Sequence, residues 1–491
     1  MIMNDSSSLI LFGATGDLAQ RKLYPALHRL YKKNERTFAL IGVARRPYDH
    51  ETFRDMVKNS VEAAGETCDP GFLDLCFYFS LDVQNTAGYE GLKDLATKVD
   101  ADLSLSGNRI FYLALAPEHF GTVTVRLHES GLTKVSGWKR LVIEKPFGRD
   151  LTSAEILNNE IRTAFEEDEI YRIDHYLGKE MVQNIQVIRF ANPIFESIWN
   201  NHYISNIQIT SSETLGVEER ASYYDRTGAL MDMVQNHMLQ MVALTAMEPP
   251  SRMVTEDIRD EKVKVLRSIR PVDQTNVKDL IIRGQYGAGT LANGKPAPAY
   301  RAEENISPDS ETDTFVAAKL HIDNFRWSGV PFYIRTGKRL TTKSTEIVVQ
   351  FKDAPTNPYF KTFSNMQPNL LVIHVQPDEG LSLKLNAKNF NSPMDTLPIK
   401  MAFSNSGDLV TGGDAYERLI QDCMRGDSTN FTRWDEVALS WQYVDGVIKA
   451  WKDVRPPLAF YESGTMGPIA SDELLAKDGT KWWPLSQLET C

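Results

Sequence analysis

The segment from Asp174 to Glu180 is the densest group of chemically capable side chains in this 491-residue sequence. It offers a carboxylate, an imidazole, a phenol and an ammonium group. On a helix, His175 and Lys179 would lie four residues apart on one face and could hold an anion such as a phosphate together. The alternative is a solvated first helical turn that Asp174 caps. Gly178 argues against that alternative, because a glycine inside a helix costs about 1 kcal/mol relative to alanine and usually marks a close approach.

A second group of polar residues interrupts an apolar helix predicted over residues 229–247. It consists of Asp232, Gln235, Asn236 and His237. Buried polar groups are costly without partners, so four together indicate a cleft, although one such histidine alone is more often a core residue. At 3.6 residues per turn, Asp232 and His237 would be about 140° apart and could share a ligand only from opposite sides.

A third, cationic cluster follows a predicted strand and contains Arg335, Lys338, Arg339 and Lys343. It could complete an anion pocket. It could equally be a basic loop, and by itself the loop is the simpler interpretation.

A glycine turn begins at Gly13, between a predicted strand over 8–12 and a helix over 18–31. Glycines allow a backbone to approach a pyrophosphate, and the helix start supplies N–H groups and a favourable dipole. The motif departs from G-x-G-x-x-G, because Thr15 replaces the middle glycine and Leu18 the last. A dinucleotide site is predicted, and a plain glycine turn remains the alternative.

Two further cationic positions follow predicted strands. Arg45 and Arg46 stand where a domain specific for NAD would usually carry an acid, so they favour a 2′-phosphate; the alternative is a solvated arginine pair. Lys145 ends the last clear strand, where ligands of open α/β sheets collect. It could reach both a nicotinamide ring and a substrate, or it could simply cap the strand before Pro146.

The whole chain is too long for one hydrophobic core, so two large domains are expected. Up to about residue 175, strands alternate with helices, which is typical of an α/β parallel sheet; after it, many strands with few helices predict an α+β domain. We therefore expect a dinucleotide-binding domain over 1–175 and a second domain over 176–491. The strands predicted after 175 cover 204–211, 280–286, 314–323, 331–336, 346–351 and the run 370–385.

Composition excludes several classes of protein. A net charge of −11 argues against general nucleic-acid binding. The four cysteines lack CxxC spacing, so neither a zinc site nor a disulfide framework is expected, and reduced thiols in the cytoplasm fit better. No run of apolar residues is long enough for a membrane helix, and the N-terminus does not resemble a secretion signal.

Taken together, the strings GATGDLAQRKLYPAL, EKPFG, RIDHYLGKE and DRTGALMDMVQNH resemble the glucose-6-phosphate dehydrogenase family. The resemblance implies a Rossmann-type N-terminal domain, a larger C-terminal domain with a mostly antiparallel sheet, and a homodimer formed through that sheet, or a homotetramer. It implies oxidation of D-glucose 6-phosphate at C1 to 6-phospho-D-glucono-1,5-lactone with hydride transfer to NADP, or also to NAD. That reaction is the first step of the oxidative pentose phosphate pathway.

The resemblance also implies residue roles and no metal. His237 would be the general base for the C1 hydroxyl, and Asp174 the carboxylate that orients it. The implied substrate contacts are His175, Tyr176, Lys179, Glu213, Asp232, Lys338, Lys343 and Lys145. The implied coenzyme contacts are Gly13, Thr15, Gly16, Asp17, Leu18, Arg45 and, again, Lys145.

Two other functions remain open from the sequence. The chain could be a dehydrogenase of another aldose or aldose phosphate. It could also be a non-catalytic NADP-sensing protein, although such a sensor would be expected to have lost His237 or Asp174.

Overall fold

The structure is a computed structural model that describes residues 6–33, 38–354, 366–392, 395–404 and 415–485. The chain divides into two compact units, and neither is one continuous stretch. The first unit comprises Met1–Lys179, Met253–Arg259 and Gly412–Ala438. The second comprises Glu180–Arg252, Asp260–Thr411 and Leu439–Cys491. In the part of the chain that is described, no helix combines the length and the apolar character that a membrane span requires.

The first unit contains a six-stranded sheet in which all strands run parallel. The strands are β1 (Ser7–Phe12), β2 (Phe38–Ala44), β3 (Cys76–Ser80), β4 (Asn108–Leu113), β5 (Lys139–Ile143) and β6 (Ile170–Arg172). Their order is β3-β2-β1-β4-β5-β6, the dinucleotide-binding order. β1 is buried along its whole length, which explains its apolar run from Leu9 to Phe12. The α/β prediction is confirmed.

The sixth strand of this sheet was not predicted. β6 has only three residues and ends at Arg172, a charged residue that is 2% exposed. Arg172 is buried because its guanidinium donates to Glu167 at 2.6 and 3.1 Å and to Asn158 at 2.8 Å. These partners lie outside the strand, so the strand's own sequence carries no clear signal for it.

The second unit contains a nine-stranded mixed sheet in the order β16-β15-β14-β13-β7-β12-β11-β8-β17. Its strands are β7 (Ile204–Ser212), β8 (Ile281–Gly287), β11 (Phe315–His321), β12 (Pro331–Gly337), β13 (Ser344–Phe351), β14 (Leu370–Gln376), β15 (Gly380–Lys388), β16 (Thr396–Ser404) and β17 (Ala459–Glu462). A separate two-stranded ribbon consists of β9 (Gly289–Thr290) and β10 (Pro296–Ala297). Neighbouring strands are antiparallel except for the pairs β7–β12 and β8–β17. The mostly antiparallel sheet is confirmed.

The predicted run over residues 370–385 is two strands rather than one. β14 and β15 pair antiparallel, with Leu370 opposite Lys384. Pro377 follows β14 directly and cannot donate a backbone hydrogen bond, so the chain turns there.

The α-helices of the described chain are Tyr24–Lys32, His50–Ala63, Pro70–Asp74, Gly88–Asp102, Phe120–Glu129, Leu151–Arg162, Glu180–Phe190, Pro193–Glu196, Ala221–Ala229, Leu239–Ala246, Thr255–Ser268, Val277–Leu280, Ala415–Arg425, Trp434–Val454 and Ile469–Ala476. Two segments are π-helical, with hydrogen bonds that span five residues: Ala19–Leu23 and Leu230–Met238. The predicted helix over 18–31 is therefore a π-helical segment followed by an α-helix.

Candidate active site

The glycine turn after β1 leaves no room for a side chain at Gly13. Gly13 has a φ of 84°, and a Cβ there would lie 2.0 Å from the Ala114 carbonyl oxygen. The N–H groups of Gly13 and Ala14 donate to the Val43 carbonyl at 2.9 and 3.2 Å, which ties the turn to the end of β2. Such a tight turn before a helix fits a pyrophosphate, whose oxygens need close access to backbone N–H groups.

The two departures from the glycine motif have a structural reason. Thr15 is half-buried and its carbonyl accepts a hydrogen bond from Gln20 at 3.1 Å. Leu18 is half-buried and packs against the hydrophobic core of the first unit. Gly16 and Asp17 are exposed, and Arg21 lies 3.5 Å from the Asp17 carboxylate. Only Gly13 requires glycine for its conformation, so the motif tolerates threonine and leucine.

Arg45 is exposed on a turn whose backbone carbonyls accept hydrogen bonds from a tyrosine of β3. The Tyr78 hydroxyl donates to the carbonyls of Ala44 and Arg46, at 3.2 and 2.6 Å. Burial raises the pKa of Tyr78 to about 12, so this hydroxyl remains a donor. Because Val43 accepts from Gly13, the turn that carries Arg45 lies beside the glycine turn. This is the position at which a 2′-phosphate contact was predicted.

Lys145 and Asp174 follow neighbouring parallel strands at the same edge of the sheet. Ile143 of β5 pairs with Arg172 of β6, so each site residue comes two positions after the last paired residue of its strand. Lys145 is half-buried, and Asp174 is 2% exposed. The unpredicted sixth strand therefore brings Asp174 to the edge that also carries the glycine turn.

Glu144, next to Lys145, is a buried carboxylic acid. The Tyr112 hydroxyl donates to it at 2.6 Å. Burial raises the pKa of Glu144 to about 7, although the hydrogen bond from Tyr112 and the charge of Lys145 act in the opposite direction. Lys145 thus has a buried acid of raised pKa as its neighbour in the sequence.

The segment after Asp174 is a turn, not a helix, so the helical-face argument for His175 and Lys179 was wrong. The Asp174 carboxylate accepts from the Tyr176 N–H at 2.9 Å, its carbonyl accepts from Leu177 at 3.0 Å, and the next helix starts at Glu180. His175 and Lys179 nevertheless both lie against the ring of Tyr176. The rings of His175 and Tyr176 are 4.9 Å apart, and the Lys179 Nζ lies 4.9 Å from the Tyr176 centroid.

Gly178 marks a close approach, as expected. A Cβ at this position would lie 2.8 Å from the Ala415 carbonyl oxygen and 3.0 Å from Leu419. Its own carbonyl accepts from Arg418 at 2.9 Å. Glycine here allows the turn to pack against the helix Ala415–Arg425.

In the second unit, Asp232 and His237 lie on the π-helical segment Leu230–Met238. Asp232 is 4% exposed and His237 is fully buried. The predicted separation of 140° was wrong, because a helix whose hydrogen bonds span five residues places residues five apart about one turn from each other. Asp232 and His237 therefore lie on nearly the same side of the helix, and one ligand could contact both.

Glu213 and Lys338 form an ion pair at the ends of β7 and β12. The Lys338 Nζ lies 2.6 Å from the Glu213 carboxylate. The two strands run parallel, with Ser212 beside Gly337, so both side chains follow the same edge. The Lys338 Nζ also lies 4.9 Å from the centre of the Tyr224 ring. A carboxylate and an ammonium held together in this way can bind adjacent hydroxyl groups of a sugar.

The residues of the cationic cluster predicted over 335–343 have different surroundings in the structure. Arg335 is 4% exposed, donates to Thr210 at 3.0 Å and packs 4.3 Å from the centre of the Trp482 ring. Arg339 donates to Glu303 at 3.1 Å. Only Lys338, paired with Glu213, and the exposed Lys343 are therefore placed to serve a site.

Two models of one protein family match consecutive parts of the chain. Residues 10–184 match the model described as the NAD binding domain of glucose-6-phosphate dehydrogenase, and residues 186–483 match its C-terminal domain. The chain belongs to the glucose-6-phosphate dehydrogenase family. It is thus an oxidoreductase that uses a nicotinamide dinucleotide coenzyme.

Individual relatives extend over nearly the whole chain. The glucose-6-phosphate 1-dehydrogenase of Bacillus subtilis (strain 168) is 57% identical over 478 residues, 97% of this chain and 98% of that protein. That of Streptococcus pneumoniae serotype 4 is 42% identical over 487 residues, 98% of this chain and 97% of that protein. A solved glucose-6-phosphate dehydrogenase in complex with its substrate glucose-6-phosphate has a TM-score of 0.88 at 34% identity and covers 97% of this chain and 98% of its own.

In this family member, Arg220 lies beside Asp232 and Tyr223, a contact that was not predicted from the sequence. The Arg220 guanidinium lies 3.8 Å from the Asp232 carboxylate and 5.0 Å from the centre of the Tyr223 ring. Burial and the Asp232 charge raise the pKa of Tyr223 to about 12. Tyr224 is 1% exposed beneath Lys338. The string Tyr223-Tyr224-Asp225-Arg226 carried a signal, since two aromatic residues beside charges directly precede the polar helix.

Proposed function

We propose that the chain oxidises D-glucose 6-phosphate at C1 to 6-phospho-D-glucono-1,5-lactone with NADP as the hydride acceptor. The observation that carries this proposal is the pair of family models, which together match residues 10–184 and 186–483. The name of the B. subtilis relative and the substrate in the solved relative point to the same reaction.

In the proposed mechanism, His237 takes the proton of the C1 hydroxyl as that oxygen becomes the carbonyl of the lactone. Asp174 orients the imidazole and stabilises its protonated form. NADP, which the turn at Gly13 and the Arg45 side chain would hold, would supply the hydride acceptor for C1. One proton and one hydride leave the sugar, which balances a two-electron oxidation.

We assign the remaining residues to the two ligands by their chemistry. His175, Tyr176, Lys179 and Lys343 bind the phosphate, and Lys145 lies close to both ligands. Glu213, Asp232 and Lys338 bind the sugar hydroxyls. Gly13, Thr15, Gly16, Asp17 and Leu18 receive the pyrophosphate, and Arg45 binds the 2′-phosphate of NADP. The close packing around Gly13 and the exposure of Gly16 and Arg45 support the coenzyme assignment.

The test is a comparison of kcat/KM for glucose 6-phosphate, glucose and a second aldose phosphate, with NADP and with NAD. We expect glucose 6-phosphate with NADP to give the highest value, because a bound phosphate adds charge-assisted hydrogen bonds of about 1.5–3 kcal/mol. A second aldose phosphate that reacts better would favour another sugar-phosphate dehydrogenase. No turnover with any of them would favour the sensor.

We also propose that the chain forms dimers through the nine-stranded sheet. The edge strand β16 leaves Leu397, Ile399, Met401 and Phe403 exposed at alternate positions, by 39–59%. Such an apolar row on an edge strand is typical of an interface. Sedimentation of a Phe403→Glu variant tests the proposal, and a variant that sediments like the wild type would contradict it.

A further inference from the structure

Asp313 holds the start of the π-helical segment that carries Asp232 and His237. Its carbonyl accepts from the Ala229 N–H at 2.8 Å, and its carboxylate accepts from the Leu230 N–H at 2.8 Å. The first N–H groups of a helix have no partner within the helix, and a carboxylate there also suits the positive end of the helix dipole. Asp313 is 83 residues away in sequence from Leu230 and acts as its cap.

Gly228 makes this contact possible. The helix Ala221–Ala229 is kinked at Gly228, where φ is 64° and ψ is 179°. A Cβ on Gly228 would lie 2.6 Å from the Asp313 carboxylate, in a backbone conformation that side chains rarely adopt. The kink therefore ends one helix and presents the start of the next to Asp313.

Thr314, the residue after Asp313, is hydrogen-bonded to the backbone of Lys338, another residue assigned to the sugar. The Thr314 carbonyl accepts from the Lys338 N–H at 3.0 Å. The Tyr461 hydroxyl lies 2.7 Å from the Lys338 carbonyl and 3.0 Å from the Thr314 hydroxyl. Two consecutive residues thus join the backbone of Lys338 to the start of the helix that carries His237.

The capping carboxylate is costly for the fold. Asp313 is 9% exposed, and burial raises its pKa to about 7, against the effect of the Leu230 N–H and of Arg283. A hydrogen-bond acceptor is useful at this place, but a buried charge is not needed for it. An amide oxygen in the same position should therefore perform the same task.

We propose that Asp313 is a positioning residue that fixes His237 and Asp232 relative to the Glu213–Lys338 pair by accepting the first hydrogen bonds of their helix. The inference rests on the roles given to these four residues in the proposed function. Asp313 touches neither the substrate nor the coenzyme in this scheme, so it acts on the rate of the chemical step through His237 and on sugar binding through Asp232.

The experiment compares Asp313→Ala, Asp313→Asn and the matched control Glu311→Gln, an exposed acid in the same loop. We expect kcat to fall about 10- to 100-fold in Asp313→Ala, because small displacements of reacting groups cost up to this much, with a smaller rise in the KM for glucose 6-phosphate through Asp232. Asp313→Asn should stay within about three-fold of the wild type. Hydrogen exchange should accelerate over residues 229–238 in Asp313→Ala alone.

Three outcomes would overturn the inference: a kcat of Asp313→Ala within two-fold of wild type, a kcat of Asp313→Asn as low as that of Asp313→Ala, or an equal loss in Glu311→Gln. If Asp313→Ala does not fold, Gly228→Ala replaces it, since its Cβ displaces the same carboxylate. An unchanged kcat in that variant also refutes the role. A His237→Asn variant in the same series separates the two proposals: if it retains turnover, the proposed base is wrong, while hydrogen exchange still decides whether Asp313 holds the helix.

Discussion

All strands of the six-stranded sheet end at one edge, whereas neighbouring strands of the nine-stranded sheet mostly end at opposite edges. In the parallel sheet, the residues that follow β1, β2, β5 and β6 include Gly13, Arg45, Lys145 and Asp174. In the mixed sheet, Glu213 and Lys338 meet only because β7 and β12 are a parallel pair inside an otherwise antiparallel region. Parallel pairing is thus the feature that gathers candidate site residues in both units.

The two sheets also suit different ligands. A parallel sheet supplies several backbone turns at one edge, which suits a long ligand with a pyrophosphate. The mixed sheet supplies one ion pair and packs a helix of unusual geometry near it, which suits a compact sugar. We expect changes at Gly13 and Arg45 of the parallel sheet to alter coenzyme use, and changes at Glu213 and Lys338 of the mixed sheet to alter sugar binding.

The largest effect is expected from His237→Asn in the second unit. Loss of a general base should lower kcat by about 10²- to 10⁴-fold, with the KM values for both ligands little changed. Steady-state kinetics measure both quantities, and His202→Asn, an exposed histidine of the same unit, is the control. Undiminished turnover would remove the catalytic role from this unit.

The ion pair at the ends of β7 and β12 should show strong coupling. Lys338→Met and Glu213→Gln should each raise the KM for glucose 6-phosphate by about ten-fold, and their effects should not add, with a coupling energy of about 0.5–3 kcal/mol. A double-mutant cycle on kcat/KM measures this energy. Additive effects would mean that the two residues act separately. The parallel pairing of β7 and β12 would then not couple them in substrate binding.

A smaller effect is expected at the edge of the parallel sheet. Arg45→Ala should lower the ratio of kcat/KM for NADP to that for NAD by about ten-fold, because a charged hydrogen bond to the 2′-phosphate is lost. Arg46→Ala is the neighbouring control. An equal ratio in Arg45→Ala and wild type would refute the 2′-phosphate contact.

The smallest effect concerns the buried acid beside Lys145. Glu144 has a folded pKa of about 7 and an ordinary value of 4.5, so the folded state binds this proton more tightly than the unfolded chain. The contribution of Glu144 to the free energy of unfolding should therefore fall as pH rises from about 4.5 to 7. Glu144→Gln should reduce the decrease in Tm between pH 5 and pH 8 by several °C, since one pKa unit is about 1.4 kcal/mol. Calorimetry measures this, with the exposed Glu155→Gln as control, and an unchanged decrease would contradict it.

Patterns within short segments predicted much of the first unit. The strand β1 was recognised within one residue of its ends, because strands buried on both faces are rich in apolar residues. β6 was not recognised, because its charged end depends on Glu167 and Asn158. The turn after Asp174 was mistaken for a helix start, since Asp174 satisfies the Tyr176 N–H in either setting.

The sequence by itself determined the family, the two kinds of sheet and the residue types available for chemistry, because these depend on local patterns and on distinctive strings. Only the tertiary structure decided which of those residues meet. Lys338 pairs with a carboxylate 125 residues earlier in the chain, and the π-helical segment starts where Asp313 caps it from 83 residues away. Contacts between distant segments depend on strand order and on helix starts, and neither is encoded within the segments that the contacts join.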